Sequence, residues 1–316
     1  MSDKKYQVIR DNLQQAFNEK DYDKALELAQ VIKTDFQDQG QNAYFNLAYI
    51  HFLRREYSET VHVLLEGTQL GFWWSVDFLL HVFQEFEEFD DETNYQHLLS
   101  TIQKLHDIAQ VNARMHWVSY APDTLTDESP IFVALHQGNG NISLCEHHWK
   151  DVVLANGCLA VFCQSSQMTG PDTYTWMDLT KGLEELNLCL EEVVAKYPGN
   201  RKVLLGGGSI GGTLALTKAF LSSNLQESAI DGVIAVIPFN IDPTTFLPAI
   251  NAKYLQTKLV LVTGTEDESY QACLTTHNTL LEEEIEHKYY ESVGVGHVFP
   301  EKFPAILTEC LDFFFS

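Results

Sequence analysis

The chain has 316 residues, of which 45% are hydrophobic and 20% are charged, a composition typical of globular proteins rather than disordered or fibrous ones. It carries 20 Lys and Arg against 44 Asp and Glu, a formal net charge of −24. Because so acidic a surface repels phosphate backbones and anionic lipid headgroups, we expect neither nucleic acid nor a membrane as partner. The N-terminal segment MSDKKYQVIRDNLQQ lacks the apolar core of a signal peptide, and no apolar stretch is long enough to span a membrane. We therefore expect a cytoplasmic protein.

The first part of the chain, from residue 4 to about 110, has the spacing of apolar residues that predicts helices and almost no glycine or proline. Two segments within it can be aligned with each other so that Tyr22 matches Tyr57: NEKDYDKALELA (18–29) and LRREYSETVHVL (53–64). Small and apolar residues then occupy the packing positions of a helical-hairpin repeat: Leu47, Ala48, Tyr57, Leu64 and Gly67. The region resembles the tetratricopeptide family over two repeats. We interpret residues 1–111 as an all-helical, tetratricopeptide-like domain, with an ordinary helical bundle as the alternative.

Two further stretches of this region have a biased composition. GFWWSVDFLL (71–80) contains three consecutive aromatic residues, Phe72 to Trp74, which cannot all face inward from one helix. At least one of them should therefore contact another element. The stretch QEFEEFDDE (84–92) is acidic, and we interpret it as a solvated face rather than a site.

From about residue 112 the pattern changes to short apolar runs separated by amphipathic segments such as LTKGLEELNLCLEEVVAKY (179–197). The runs are RMHWVSY (114–120), IFVALH (131–136), CLAVFCQ (158–164), KVLLG (202–206), GVIAVIPF (232–239), KLVLVTG (258–264) and KYYESV (288–293). Strands that alternate with helices indicate a mostly parallel sheet with helices on both faces. Residues 112–316 are thus predicted to form an α/β domain.

The segment KVLLGGGSIGGTLAL (202–216) predicts a strand that turns sharply into a helix, and two motifs overlap in the turn. Gly206, Gly208 and Gly211 match G-x-G-x-x-G, which binds a dinucleotide pyrophosphate, whereas Gly207, Ser209 and Gly211 match G-x-S-x-G, which presents a nucleophilic serine. The turn by itself does not distinguish them.

The context of the turn argues against phosphate binding. A dinucleotide fingerprint follows the first strand of its unit, and an acidic residue ends the next strand. Here the turn follows the fourth run, and the next run is followed by Asn240 rather than by an acidic residue. A P-loop would end in Gly-Lys-Ser/Thr, which is absent.

A nucleophilic serine needs a histidine to accept its proton and an acid to orient the histidine, and on this fold they follow in the order serine, acid, histidine. Asp267 lies just beyond the run that ends at Gly264, and His297 lies in the glycine-flanked loop SVGVGHVFP (292–300). The position of Asp267 three residues after Gly264 favours it over the other candidate acids. These are Glu266, Glu268 and Asp242.

Upstream, LHQGNGN (135–141) ends a strand in a glycine-rich loop. With these four motifs in this order, residues 112–316 resemble the α/β-hydrolase superfamily. The resemblance implies that Ser209 is the nucleophile, His297 the base and Asp267 its orienting acid, and that Gly207 and Gly211 flank the serine because the elbow is too tight for side chains.

The resemblance also implies an oxyanion hole in which the N–H of Ile210 is the first donor. The second donor comes from the glycine-rich loop and is Gly138 if His136 is aligned with the family histidine. Gln137 stands where the family has glycine, and its N–H is the alternative donor.

This mechanism requires no cofactor and no metal. His147 and His148 could suggest a metal site, but no further ligands cluster near them in the sequence, and we interpret them as residues of a helix surface. The six cysteines include no C-x-x-C pair, and several lie in apolar runs where a reduced thiol packs as a small hydrophobe.

The resemblance predicts a carboxylesterase-like serine hydrolase for a small carboxylic ester. The segment GGSIGG also resembles the elbow of prolyl-oligopeptidase-type peptidases, so hydrolysis of a peptide or amide is an alternative. A third hypothesis, from a different class, is a partner-binding helical-repeat protein with an idle hydrolase domain.

The helical region raises two further hypotheses. The segments 165–178 and 240–257 are too short to form a cap over an active site, and the aromatic cluster 72–74 offers apolar surface. We therefore expect residues 1–111 to cap the carboxyl edge of the sheet. The rival hypothesis makes them a separate module that binds a protein partner or mediates dimerisation.

Overall fold

The computed structural model describes residues 2–83, 92–222, 230–241 and 257–316. Asp242 and the acidic stretch up to residue 91 lie outside these residues. The chain divides into two compact units, a helical unit that comprises Met1–Asn112 with Met168–Asp172, and an α/β unit that comprises Ala113–Gln167 with Thr173–Ser316.

The helical unit contains six helices, counted over its described residues: α1 (Ser2–Asn18), α2 (Tyr22–Asp35), α3 (Gly40–Leu53), α4 (Tyr57–Gln69), α5 (Val76–Val82) and α6 (Glu92–Asn112). The first four pack against one another in chain order. Tyr22 and Tyr57, which match when the two similar segments are aligned, each begin the second helix of a packed pair. This arrangement fits a helical-hairpin repeat, and the tetratricopeptide-like assignment remains a prediction.

The three consecutive aromatic residues lie in the loop between α4 and α5, so the expectation of helix throughout this region is wrong at this point. Trp73 and Trp74 are buried in the core of the helical unit. The ring of Trp74 lies over Gly67, where a Cβ would come within 3.1 Å of it, and Phe72 packs against Gly40. This cluster therefore contributes its apolar surface to the core of its own unit.

Over its described residues, the central sheet of the α/β unit has seven strands, and all seven predicted runs are confirmed. They are β1 (His116–Tyr120), β2 (Ile131–Leu135), β3 (Leu159–Gln164), β6 (Val203–Gly208), β7 (Gly232–Val236), β8 (Lys258–Gly264) and β9 (His287–Ser292). Their order in the sheet is β1-β3-β2-β6-β7-β8-β9. Strand β1 is antiparallel to β3, and the other neighbours are parallel.

Helices cover both faces of this sheet. In the part of the unit that the structure describes, they are α7 (Ile142–Ala155), α8 (Leu179–Lys196), α9 (Ile210–Ser222), α10 (Tyr270–Glu282) and α11 (Phe303–Phe315). Residues of α7 and α11 pack on one face together with Phe132 and Ala134, whereas residues of α8, α9 and α10 pack on the other with Ile131, Val133 and Leu135. Because β2 is buried on both faces, its sequence is a continuous apolar run rather than an alternating one.

The segment 165–178, which the sequence shows to be too short for a cap, contains two short strands, β4 (Gln167–Gly170) and β5 (Thr173–Thr175), which form a separate two-stranded sheet. All six cysteines are buried free thiols. Within the described ranges, no helix combines the length and the apolar character that crossing a membrane requires.

Candidate active site

Ser209 occupies the sharp turn between β6 and α9. Its φ angle is 53°, a left-handed conformation that non-glycine residues rarely adopt and that functional sites often retain. Its N–H donates to the Val236 carbonyl over 2.9 Å, which ties the turn to the end of β7. A Cβ on Gly207 would overlap the carbonyl group of Gly211, and one on Gly211 would lie 2.5 Å from the His136 oxygen. The close approach of these backbones explains why the serine is flanked by glycines.

The structure brings the side chains of Ser209, His297 and Asp267 together at the carboxyl ends of parallel strands. His297 Nε2 lies 2.8 Å from Ser209 Oγ, and His297 Nδ1 lies 2.8 Å from Asp267 Oδ2. A carboxylate oxygen accepts from Nδ1–H, so the proton resides on Nδ1 of the neutral imidazole. Nε2 is then left to accept the proton of the serine hydroxyl.

The loops after β8 and β9 are bonded to each other, which explains why Asp267 and His297 meet. Glu266 N–H donates to the Val295 carbonyl over 3.0 Å, and Gly294 N–H donates to Thr265 Oγ1 over 2.9 Å. The Asp267 side chain is fully buried, and its Oδ1 accepts from the Ser269 N–H at 2.6 Å. This carboxylate is therefore held at both oxygens.

Of the alternative acids, Glu266 and Glu268 are exposed neighbours of Asp267, and neither contacts His297 in the part of the chain that the structure describes. Asp242 is outside that part. The assignment of Asp267 rests on its hydrogen bond to His297.

Two backbone N–H groups near Ser209, those of Ile210 and Gly138, donate to no acceptor in the described parts of the chain. Ile210 is the first residue of α9, where N–H groups have no intrahelical acceptor. Gly138 lies beside it, since a Cβ on Gly138 would be 3.6 Å from Ile210 Cγ2. The N–H of Gln137, the alternative donor, is also without an acceptor in the described residues.

No protein-family model matches the chain, and no curated protein matches it. Among solved structures, an uncharacterized protein from Bacillus cereus ATCC 10987 is 23% identical over 98% of both chains, with a TM-score of 0.54. Esterase PE8 is 16% identical over 64% of this chain and 99% of its own, with a TM-score of 0.53. Zea mays acyl-protein thioesterase 2 is 14% identical over 65% of this chain and 100% of its own, with a TM-score of 0.50. The α/β unit has the α/β-hydrolase fold. The name hydrolase domain is used for this unit as a name of its fold alone.

His136, which the sequence suggested only as an alignment anchor, is completely buried behind the glycine-rich loop of the hydrolase domain. Its Nε2 accepts from the Ser165 N–H at 3.2 Å, and its Nδ1 lies 2.8 Å from the Gln137 carbonyl oxygen. The Trp176 indole stacks on the ring with centroids 4.9 Å apart, and its N–H donates to the His136 carbonyl over 3.0 Å. Burial lowers the pKa of His136 to about 4, so the imidazole is neutral at pH 7.

The sequence suggested that His148 lies on a helix surface, but in the structure of the hydrolase domain this residue is half-buried. Its ring stacks on Phe299 with centroids 3.9 Å apart, and Phe299 in turn occupies the space that a Cβ on Gly208 would fill. Burial lowers the pKa of His148. His147 is exposed, and the described residues contain no group of three or more metal-ligating side chains.

Proposed function

We propose that the protein is a serine hydrolase that cleaves a small carboxylic ester through an acyl-enzyme intermediate. The observation that carries this proposal is the unbroken chain of hydrogen bonds from Asp267 through His297 to Ser209. It ends at a serine in a strained turn, where the hydroxyl lies beside the N terminus of α9. A buried structural serine would require neither the strain nor the aligned imidazole.

In the proposed first step, Ser209 Oγ attacks the carbonyl carbon of the ester while His297 Nε2 takes the hydroxyl proton. The imidazolium, stabilised by the buried carboxylate of Asp267, then protonates the departing alkoxide, and the acyl group remains on the serine. In the second step, His297 removes a proton from water, which attacks the acyl carbon. The bond between the acyl carbon and Ser209 Oγ then breaks, the imidazolium returns the proton to Ser209 Oγ, and the carboxylic acid leaves.

Negative charge develops on the carbonyl oxygen in both steps. We assign its stabilisation to the N–H groups of Ile210 and Gly138, two residues that adjoin each other and whose N–H groups have no acceptor in the described residues. One such donor contributes a factor of about 10²–10³ to kcat in enzymes of this kind. Gln137 is retained as the alternative second donor.

The test is a substrate panel applied to the purified full-length chain. It consists of p-nitrophenyl esters of increasing acyl length, an acyl thioester because one similar structure is an acyl-protein thioesterase, and aminoacyl-nitroanilides. We expect turnover of a short-chain ester and none in Ser209→Ala. Preference for the nitroanilides would favour a peptidase or amidase, and no turnover of any substrate would favour an idle hydrolase domain.

A fluorophosphonate probe tests the nucleophile independently of the substrate. It should label wild-type protein and the matched control Ser143→Ala, which removes an exposed hydroxyl on α7. Labelling that persists in Ser209→Ala would refute the assignment.

A further inference from the structure

Glu185 is a buried acid of the hydrolase domain that the proposed reaction does not use. It lies on α8 with 7% of its surface exposed, and in the described residues it forms no ion pair with a lysine or arginine. Burying a carboxylate is costly unless hydrogen bonds compensate for the lost hydration. The residue therefore requires a physical explanation.

In the described residues, the hydrogen-bond partners of Glu185 are the two residues that follow β3. Ser165 Oγ donates to Oε2 over 2.9 Å, the Ser166 hydroxyl donates to Oε1, and the Ser166 N–H lies 3.2 Å from Oε2. Ser165 Oγ also accepts from the Gln167 N–H at 3.0 Å, so its own proton is directed to the carboxylate. Glu185 thus fixes the position and orientation of the Ser165–Ser166 turn.

The same turn fixes the tautomer of His136. The Ser165 N–H donates to Nε2 of the imidazole, and in a neutral ring the remaining proton must then be on Nδ1. This Nδ1–H donates to the carbonyl oxygen of Gln137 over 2.8 Å, and the Gly140 N–H donates to the same oxygen over 3.1 Å. Both hydrogen bonds hold the Gln137 carbonyl towards the protein interior.

The orientation of that carbonyl determines the orientation of the next N–H. The peptide bond between Gln137 and Gly138 is planar and trans, as no cis peptide is present among the described residues, so the Gly138 N–H is directed opposite to the Gln137 C=O. A carbonyl drawn towards His136 therefore turns the Gly138 N–H away from His136. Gly138 itself adjoins Ile210, since a Cβ on Gly138 would lie 3.6 Å from Ile210 Cγ2.

We propose that Glu185 is a positioning residue for catalysis, which acts through Ser165, Ser166 and His136 to orient the Gly138 N–H towards the developing oxyanion. This inference rests on the proposed function. It assigns to a buried carboxylate on α8, which does not touch the substrate, part of the transition-state stabilisation that Gly138 provides.

The test compares Glu185→Gln with the matched control Glu192→Gln. Glu192 is an exposed residue of the same helix that accepts from the half-buried Trp117 indole, and it forms no hydrogen bond to the Ser165–Ser166 turn in the described residues. The carboxamide keeps the volume of Glu185 but replaces one acceptor oxygen by a donor. With rates normalised to active sites titrated by fluorophosphonate, we expect kcat to fall about tenfold in Glu185→Gln, a fraction of the loss of a whole oxyanion donor, with KM unchanged. The control should retain wild-type kcat.

A second readout separates positioning from general stability. A trifluoromethyl ketone forms a tetrahedral adduct with the serine, and its oxyanion depends on the same N–H donors. Its affinity should fall by the same factor as kcat/KM in Glu185→Gln. A lower melting temperature with unchanged kcat and unchanged inhibitor affinity would reduce Glu185 to a structural anchor and overturn the proposal.

The pathway through His136 is tested by a double-mutant cycle. His136→Asn keeps a side-chain N–H donor near the position of Nδ1 and should stay within about threefold of wild-type kcat, whereas His136→Leu should lose about 100-fold. In the His136→Leu background, Glu185→Gln should change kcat less than twofold, because residues that act in series are not additive. A repeated tenfold loss in that background would overturn the pathway. Should Glu185→Gln not fold, Ser165→Ala removes one donor to the carboxylate and replaces it in the cycle.

The positioning and the proposed function fail in different ways. Wild-type protein without Ser209-dependent turnover would refute the function, whereas normal turnover in Glu185→Gln would refute the positioning alone. Nuclear magnetic resonance of 15N-labelled histidine adds a readout without turnover. The ring proton on His136 Nδ1 should exchange with solvent faster in Glu185→Gln than in wild type, and an unchanged rate would count against the network itself.

Discussion

The burial of His136 makes a specific prediction about the dependence of stability on pH. Its pKa is about 4 in the folded protein against an ordinary value of 6.5, because burial disfavours the charged imidazolium. Above pH 6.5 the imidazole is neutral in both the folded and the unfolded state and contributes no pH dependence. Between pH 6.5 and 4 the unfolded state binds a proton that the folded state does not, so stability falls as the pH is lowered.

The magnitude follows from the difference in pKa. Each unit corresponds to about 1.4 kcal/mol, so the contribution of His136 to the free energy of unfolding falls by about 3 kcal/mol between neutral pH and pH 4, and it levels off below that. At pH 4.5 most of this loss, about 2.5 kcal/mol, is already present. That is a large part of the stability of an ordinary domain.

The assay is urea unfolding of wild type and His136→Asn at a series of pH values between 7.5 and 4.5, followed by tryptophan fluorescence. Asparagine does not titrate, and the other titrating groups are common to both proteins, so the difference in unfolding free energy isolates His136. At pH 7.5 the variant should be the less stable protein. Its deficit should shrink by about 2.5 kcal/mol by pH 4.5.

His136→Leu provides a second variant for this comparison. It also removes the hydrogen bond to Gln137 and should therefore have a larger deficit at pH 7.5, but the deficit should shrink by the same amount towards pH 4.5. A difference between wild type and either variant that stays constant over this range would refute the reasoning from burial.

Three other expectations concern the elbow, the acid and the helical unit. Asp267→Asn should lower kcat by about 10⁴ with little change in the melting temperature, because asparagine upsets the histidine tautomer. Normal turnover in Asp267→Asn together with a loss of turnover in Asp242→Asn would mean that the orienting acid is the one that follows β7. Gly207→Ala should lower the free energy of unfolding, measured by urea titration, by about 1–3 kcal/mol and should also reduce kcat, because the new Cβ would meet the backbone of Gly211. An unchanged midpoint of the urea transition would contradict this. If the helices cap the site, deletion of residues 1–111 should change KM and the preference for acyl length, or it should lower the yield of soluble protein because the docking face becomes exposed. A folded fragment with unchanged kinetics would exclude the cap.

Much of the hydrolase domain could be predicted because its signals are local. Each central strand is a short apolar run, and the glycines around Ser209 mark the sharp strand-to-helix turn in adjacent positions of the chain. The order of serine, acid and histidine then follows from the chain, since the carboxyl ends of parallel strands meet at one edge. The loop at residues 72–74 and the strands β4 and β5 were not predicted, because no local period marks them.

The sequence by itself determined the elbow at Ser209, the seven strands and the loops that contain Asp267 and His297, since periodicity and turn residues are properties of adjacent positions. Tertiary structure decided which carboxylate reaches His297. The sequence favours Asp267 over Glu266 and Glu268 only by its spacing from Gly264, whereas packing buries Asp267 alone of the three and bonds it to the imidazole. Tertiary structure also decided the surroundings of the Gly138 N–H, because they involve His136 and Glu185, which are far apart in the chain and are joined through the turn after β3. A hydrogen bond between distant residues leaves no periodic pattern in either segment, so it is found only after the strands and helices have been assembled.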